Sequence, residues 1–388
     1  MTGAFVVDPV ALTRDLIRCP SVTPEDNGAL AVLENALAIL GFTCHRLPFE
    51  EAGTTKVENL LAIIGEAGPH FCFAGHSDVV PPGNLAGWTV DPFGGNLIDG
   101  AVYGRGANDM KGALAAMVAA AARHLRSRGG KPAGRISLLI TGDEEGPAIN
   151  GTRKVLEWMA AKDMVPDACI VGEPTNPRRL GEMVKIGRRG SLSGRLTIHG
   201  IQGHVAYPQF AENPLHPLVQ FLSDLVTERL DDGTPHFQPS NLQVTSIDTG
   251  NEAPNVIPAQ AAAAFNIRFN DLHSAASLEA RLRDRLDRAG MRYELQISVS
   301  GEAFVTAPGP FTAMVSNAVH AVTGVTPELS TSGGTSDARF IKNFSKVAEF
   351  GLVGETMHKV DERASIVDIE ALAEVYRRIL DAWFEAPC

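Results

Sequence analysis

The sequence predicts an α/β protein in which one catalytic-type domain, built from both ends of the chain, is interrupted by a smaller α+β module. Three observations lead there. Between residues 60 and 171, short and almost continuously apolar runs alternate with helical stretches, the pattern of strands covered by helices on both faces. After Gly187 the texture changes: Leu192, Gly194, Leu196 and Ile198 alternate with polar residues, the period of a half-exposed strand, and the first texture resumes near Pro310. The 388 residues also leave room for two domains, at roughly 150 residues each.

The elements follow in order. Asp8 caps and Pro9 opens a helix with Leu12, Leu16 and Ile17 at helical spacing, stopped by Cys19-Pro20 and Pro24. Leu30, Leu33, Leu37 and Leu40 line one face of a second helix over 29–40, with Gly41 behind it. Strands are expected at 60–64, 70–74, 135–141 and 168–171, and helices at 111–126 and 152–161. In the insert, strands at 191–199, 242–247, 261–269 and 296–299 accompany helices at 214–230 and 276–289, with a polar loop over 231–240. A helix over 310–323, a strand over 346–350 and a helix over 368–384 return to the first domain.

Composition narrows the function. Lysine and arginine number 34 against 45 acidic residues, a net charge of −11 with no basic block, which repels nucleic acid and anionic lipid. Cys19, Cys44, Cys72, Cys169 and Cys388 are odd in number and never form a C-x-x-C pair, as expected of reduced thiols in the cytoplasm. Residues 1–8 lack a basic region ahead of an apolar stretch, and the apolar run over 112–122 is too short to span a bilayer. A soluble cytoplasmic protein is expected.

The chemistry lies in where His and acidic residues fall. His76 and Asp78 end one expected strand, Asp109 closes a glycine-rich turn before the helix at 111, Glu144 and Glu145 end a second strand, Glu173 a third, and His358 follows a fourth. In open α/β sheets ligands collect outside the carboxyl ends of the strands. Singly, each residue has an ordinary use: a surface His-Asp pair, a solvated Glu-Glu turn, a helix cap at Asp109. Together on one rim, the carboxylates repel one another unless a cation neutralises them. Nitrogen and oxygen ligation without cysteine suits zinc, with cobalt or manganese as substitutes. His76, Asp109, Glu145, Glu173 and His358 make two sites of three if one carboxylate bridges. Glu144 is then left over, pointing elsewhere and placed to act as general base. Asp78 is left to hold the far nitrogen of His76. The turn over 103–109 matches no phosphate-loop pattern, which argues against a nucleotide.

With these residues in view, the sequence resembles the zinc peptidase/deacylase family that contains aminoacylases, carboxypeptidase G and acetylornithine deacetylase. The resemblance runs the whole chain, through Gly75-His-Ser-Asp-Val-Val-Pro-Pro-Gly83, Gly104-Arg-Gly-Ala-Asn-Asp-Met-Lys-Gly112, Thr141-Gly-Asp-Glu-Glu-Gly146 and Val171-Gly-Glu-Pro-Thr175. It implies a discontinuous zinc-hydrolase domain over 1–188 and 303–388, with a twisted mixed sheet between helices, and an inserted α+β dimerisation or lid domain over 189–302. It implies one zinc on His76, Asp109 and Glu173, a second (replaceable by cobalt) on Asp109, Glu145 and His358, Glu144 as general acid/base and Asp78 as the partner of His76. In the implied homodimer, His204 of one subunit stabilises the oxyanion in the other. Gly187-Arg-Arg-Gly-Ser-Leu-Ser193, Gly203-His-Val-Ala-Tyr-Pro208 and Ser332-Gly-Gly-Thr-Ser-Asp-Ala-Arg-Phe340 point to the branch that removes succinate from N-succinyl-LL-2,6-diaminopimelate, rather than to N-acetyl-amino-acid deacylases. The implied substrate residues are Arg188, Ser191, Tyr207, Asn255, Arg268, Gly334 and Thr335. Gly354, four residues before His358, stands where that branch carries Asn.

Overall fold

The computed structural model describes residues 6–334 and 336–385. The chain divides into two units. One holds the described residues through Ile186, Thr306–Ser330 and those from Ser336 onward; the other holds Gly187–Val305 with 331–334. The second is slightly wider than the expected 189–302 because Gly187–Arg188 and Phe304–Val305 pair as an antiparallel ladder, tying its two ends together.

The first unit is built on strands β1 (Thr43–Arg46), β2 (Leu60–Ile64), β3 (His70–His76), β4 (Arg135–Thr141), β5 (Ala168–Val171), β6 (Met183–Lys185), β7 (Glu328–Ser330) and β8 (Lys346–Glu349). They form one sheet in the order β1-β2-β4-β3-β5-β8-β6-β7. The central four, β4, β3, β5 and β8, are mutually parallel, while β1 and β2 run antiparallel at one side. Register sets the ends level: His76 lies opposite Thr141, and Val171 opposite both Ala74 and Glu349. Four strand ends therefore deliver their following loops to one rim. Strands β1, β6 and β7 were not expected from sequence; they are three or four residues long and too short to carry a period.

Its helices are α1 (Pro9–Ile17), α2 (Ala29–Ile39), α3 (Gly112–Ser127), α4 (Thr152–Ala160), α5 (Pro310–Thr323), α6 (Ala338–Ile341) and α7 (Ile366–Glu385). Asp8 caps α1 as its sequence requires, its Oδ1 accepting from the Val10 and Ala11 amides. The alanine-rich α3 is buried along Gly112–Ala122 and packs on α7, α1 and β3; short side chains let the helices approach closely. Tyr376 of α7 anchors this layer by donating to the Phe350 carbonyl at 2.5 Å. Helix α2 packs on β1 and β2, and α4 on β4 and α6. Helix α3 begins at Gly112 rather than 111, because the preceding backbone makes a wide turn with Asp109 and Met110 outside helical angles.

The second unit is an antiparallel sheet ordered Asn241–Asp248, Gln260–Phe269, Gly190–His199, Tyr293–Gly301, with helices Leu215–Thr227 and Ala275–Arg288. Leu192, Leu196, Ile198, Phe221, Leu225, Phe265, Phe269 and Leu282 share its core. Gly194 holds a core position in the alternation because Phe265 fills its place: a Cβ there would fall 2.2 Å from that ring. The helix expected to reach 230 stops at Thr227; Glu228 turns extended and its carboxylate takes Arg281 and Arg285. Among the described residues no helix is long and apolar enough to cross a membrane.

Candidate metal centre

His76, the last residue of the fully buried β3, is 1% exposed. Its Nδ1 lies 2.8 Å from the Asp78 backbone carbonyl. A carbonyl only accepts, so Nδ1 carries a proton toward it and Nε2 is turned to the rim. There it faces Asp109 Oδ1 at 3.2 Å and Glu173 Oε1 at 3.9 Å. The other oxygen of the same Asp109 carboxylate lies 3.1 Å from His358 Nε2, which also meets Glu145 Oε1 at 2.8 Å. One carboxylate thus stands between two imidazoles, each of which faces a second carboxylate. The five expected ligands come together from three strand ends, the turn before α3 and the loop after β8.

Electrostatics describe a site built for positive charge. Burial alone would depress the His76 imidazole, but the hydrogen bond with Asp109 and the charges of Glu173 and Asp78 raise it well above its ordinary value. Asp109 and Glu145 hold His358 up to about 10. Burial would raise Asp109, yet His358 and His76 keep its carboxyl well below the usual range. Protons on the imidazoles thereby do what a cation would do, and the donor set, two nitrogens with three carboxylates and no sulfur, fits borderline divalent metals.

Two expectations change here. Asp78 does not hold the far nitrogen of His76 through its side chain: the Asp78 backbone carbonyl takes that role, and the nearer carboxylate oxygen is 3.7 Å away. The carboxylate instead accepts from the Thr23 hydroxyl (2.6 Å) and the Glu144 and Glu145 amides (3.3 and 3.1 Å), fixing the turn that presents both glutamates. Nor does Glu144 point away from the ligands. One of its carboxylate oxygens lies within 4.8 Å of ligand atoms of His76 and Glu173. Burial, then Glu173, push its carboxyl well above the usual range.

Sequence reasoning missed three buried groups around these ligands. Asp337, inside the 332–340 motif, is fully buried beside Glu144, and burial raises its carboxyl to about 6. Arg105 and Glu362 form a buried ion pair at 2.6 Å. Proximity to Asp109 and His358 in sequence was the available signal.

The remaining expected residues that the structure describes belong to the second unit. Arg188 is buried and donates to the Gly334 carbonyl. Ser191 pairs in register with Arg268, and its hydroxyl accepts from Asn266 Nδ2 at 3.2 Å. Burial, then Arg268 nearby, lower the Arg189 guanidinium, so two like charges are held close. His204 and Tyr207 are exposed, their rings 5.7 Å apart, and Asn255 is exposed with its carbonyl accepting from Val205. Thr335 and Cys388 lie outside the described residues. Gly354, in the first unit, has little room for a side chain: a Cβ would sit 3.3 Å from the Pro174 carbonyl oxygen.

Residues 72–382 match the family described as peptidase family M20/M25/M40. The chain is 63% identical over 377 residues to a succinyl-diaminopimelate desuccinylase of Rhodospirillum centenum, with 97% of each chain covered. It is 58% identical to one of Rhodospirillum rubrum, covering 99% of this chain and all of the relative. Among solved structures, aminopeptidase PepT from Bacillus cereus has a TM-score of 0.78 at 19% identity, with 97% of this chain and 98% of that one covered. The Bacillus subtilis YXEP protein, a dinuclear metal binding peptidase, has 0.68 at 16%, with 96% of each covered. At such identities the structural likeness is one of fold.

Proposed function

The chain belongs to peptidase family M20/M25/M40, a family of metallohydrolases, and we propose that it hydrolyses N-succinyl-LL-2,6-diaminopimelate to succinate and LL-2,6-diaminopimelate. The reading draws its substrate from the relatives that cover nearly the whole chain. Its metal chemistry rests on one observation, the Asp109 carboxylate lying between His76 and His358. His76, Asp109 and Glu173 would hold one zinc ion, and Asp109, Glu145 and His358 a second zinc or cobalt ion. Such ions, when bound, acidify water and polarise the scissile carbonyl.

Glu144, next to a ligand but not needed as one, takes a proton from the attacking water and delivers it to the leaving amine nitrogen. Its partly buried position keeps bulk water from competing for that proton. Asp78 serves by fixing the Glu144-Glu145 turn. The substrate carries three carboxylates, and Arg188 and Arg189 offer forked donors to them, with Ser191, Tyr207, Asn255, Arg268, Gly334 and Thr335 as the other pocket residues. The crowding of Arg189 and Arg268 supports an anion there.

The insert serves as dimerisation and lid domain, and His204 of the partner subunit stabilises the oxyanion. Val219 and Val226 on helix Leu215–Thr227 and Ile247 on an edge strand are more than half exposed, which supports a homodimer. The enzyme works in the cytoplasm, in lysine and diaminopimelate synthesis. A panel of N-acyl substrates tests the reading: the succinyl compound should be cleaved at least a hundredfold faster than N-acetylornithine, and the reverse order would replace the substrate while leaving the metal site.

A further inference from the structure

Glu362 is wholly buried, and both its oxygens are fully engaged. Oε2 accepts from Arg105 Nη1 at 2.6 Å and the Gly106 amide at 3.0 Å; Oε1 accepts from the Asn108 and Asp109 amides at 3.1 and 3.2 Å. A row of main-chain amides on one carboxylate makes an anion cradle, and here it is the segment ending in Asp109 that wraps around the anion. The Gly106, Asn108 and Asp109 amides belong to the N-cap and first turn of that segment, where no main-chain carbonyl precedes them as partner, so the Glu362 carboxylate caps the wide turn ahead of α3. Arg105 supplies the compensating charge; it also donates to the Lys359 carbonyl at 3.3 Å and lies 5.3 Å over the Trp88 ring. Asn108 adds a second tie, donating from Nδ2 to the Val353 carbonyl and Thr356 hydroxyl at 2.9 and 3.1 Å. Both ties join the Asp109 turn to the 353–362 loop that carries His358, whose backbone sits at φ +60°.

We propose that Glu362, braced by Arg105, is a positioning residue that holds Asp109 and His358 in register and so sets the affinity of the metal centre. The inference rests on the two-metal reading above. Its physical basis is that a ligand's own supports decide how much order must be created when an ion arrives, and losing such a support costs about 10–100-fold in affinity. Glutamine at 362 keeps the shape but has a single acceptor oxygen, so its amide nitrogen would confront one pair of the N–H donors.

The test is zinc affinity of the full chain, measured by competition with a chromogenic chelator, together with the visible spectrum of the cobalt-substituted protein and the melting temperature of the metal-free protein. Glu362→Gln should weaken zinc binding 10–100-fold and shift the cobalt bands. Arg105→Lys, which keeps the charge but loses the fork, should do the same to a smaller extent and decides the matter if the first variant does not fold. Asp381→Asn is the control: it removes the charge that faces His124 at 2.7 Å and pairs with Arg377, about 18 Å along α3 from Gly112, and should lower the melting temperature without moving affinity or spectrum. Zinc affinities of Glu362→Gln and Arg105→Lys within twofold of wild type would overturn the proposal, leaving the brace as a support of the fold alone. Failure of the wild-type chain to take up two ions would instead overturn the two-metal reading.

Discussion

Asp78→Asn removes one acceptor and one charge from the site while leaving the side-chain shape almost unchanged. The Thr23 hydroxyl and the Glu145 amide both reach Oδ2, at 2.6 and 3.1 Å, whereas Oδ1 receives only the Glu144 amide at 3.3 Å. The new NH2 group will therefore take the Oδ1 side and set a donor against the Glu144 N–H. Leaving that amide unpaired in a buried site costs about 1–3 kcal/mol. The strain falls on the Glu144-Glu145 turn, and a displacement of about 1 Å in a catalytic group lowers turnover by on the order of 100-fold. The His76 imidazole loses one nearby charge but keeps its orientation, because its Nδ1 is held by the backbone carbonyl of Asp78, which asparagine retains. Stepwise zinc titration by calorimetry, with His76→Ala and His358→Ala marking the two binding steps, separates these effects. The expected result is a His76-side step within about threefold of wild type and a weakened His358-side step, by about 10–100-fold, since Glu145 belongs to the disturbed turn. Loss confined to the His76-side step would refute the reasoning and restore a direct carboxylate–imidazole role.

Other outcomes follow from the same structure. Glu144→Gln should keep wild-type zinc content while kcat falls by about 10²–10⁴; unchanged turnover would remove Glu144 from the chemistry. His70 is buried, and burial followed by the Arg135 charge lowers it to about 4. The fold keeps it neutral while the unfolded chain protonates below about 6.5. Its contribution is thus intact above pH 6.5 and is lost as pH falls toward 4, on the order of 3 kcal/mol in all; urea unfolding of His70→Gln should show a correspondingly shallower loss between pH 7 and 4.5. Gly351 packs so closely that a Cβ would lie 2.2 and 2.4 Å from the Gly172 and Glu173 carbonyl oxygens. Gly351→Ala should therefore lower both thermal stability and zinc affinity on the Glu173 side, whereas a stability loss alone would show that the displacement is absorbed elsewhere.

Much of the site could be read from sequence because strand ends are easy to find. The apolar runs before His76, Glu145 and Glu173 mark parallel strands, and parallel strands bring their following loops to one rim. The structure gathers those residues with Asp109 and His358 within hydrogen-bonding or ion-pair distance. What stayed hidden depends on which atom meets which. Sequence cannot say that the carbonyl of Asp78, rather than its carboxylate, holds His76, because both belong to one residue. It cannot distinguish Asp109 as helix cap from Asp109 at the tip of a cradle, since the cradle is organised by Glu362, more than 250 residues away. Glu362 itself sits in a polar stretch with no periodicity. Strands β1, β6 and β7 owe their existence to neighbours in the sheet and have no pattern of their own. Gly194, by contrast, was legible as a core-facing position, though only the structure shows Phe265 filling the space.

The most direct measurement is succinate release from N-succinyl-LL-2,6-diaminopimelate by protein stripped of metal and titrated with zinc. No release without zinc, and a rise that levels off at two equivalents per chain, is the expected result. Full activity in the stripped protein, or cleavage of N-acetylornithine alone at saturating zinc, would contradict it, the first by removing the metal chemistry and the second by removing the substrate.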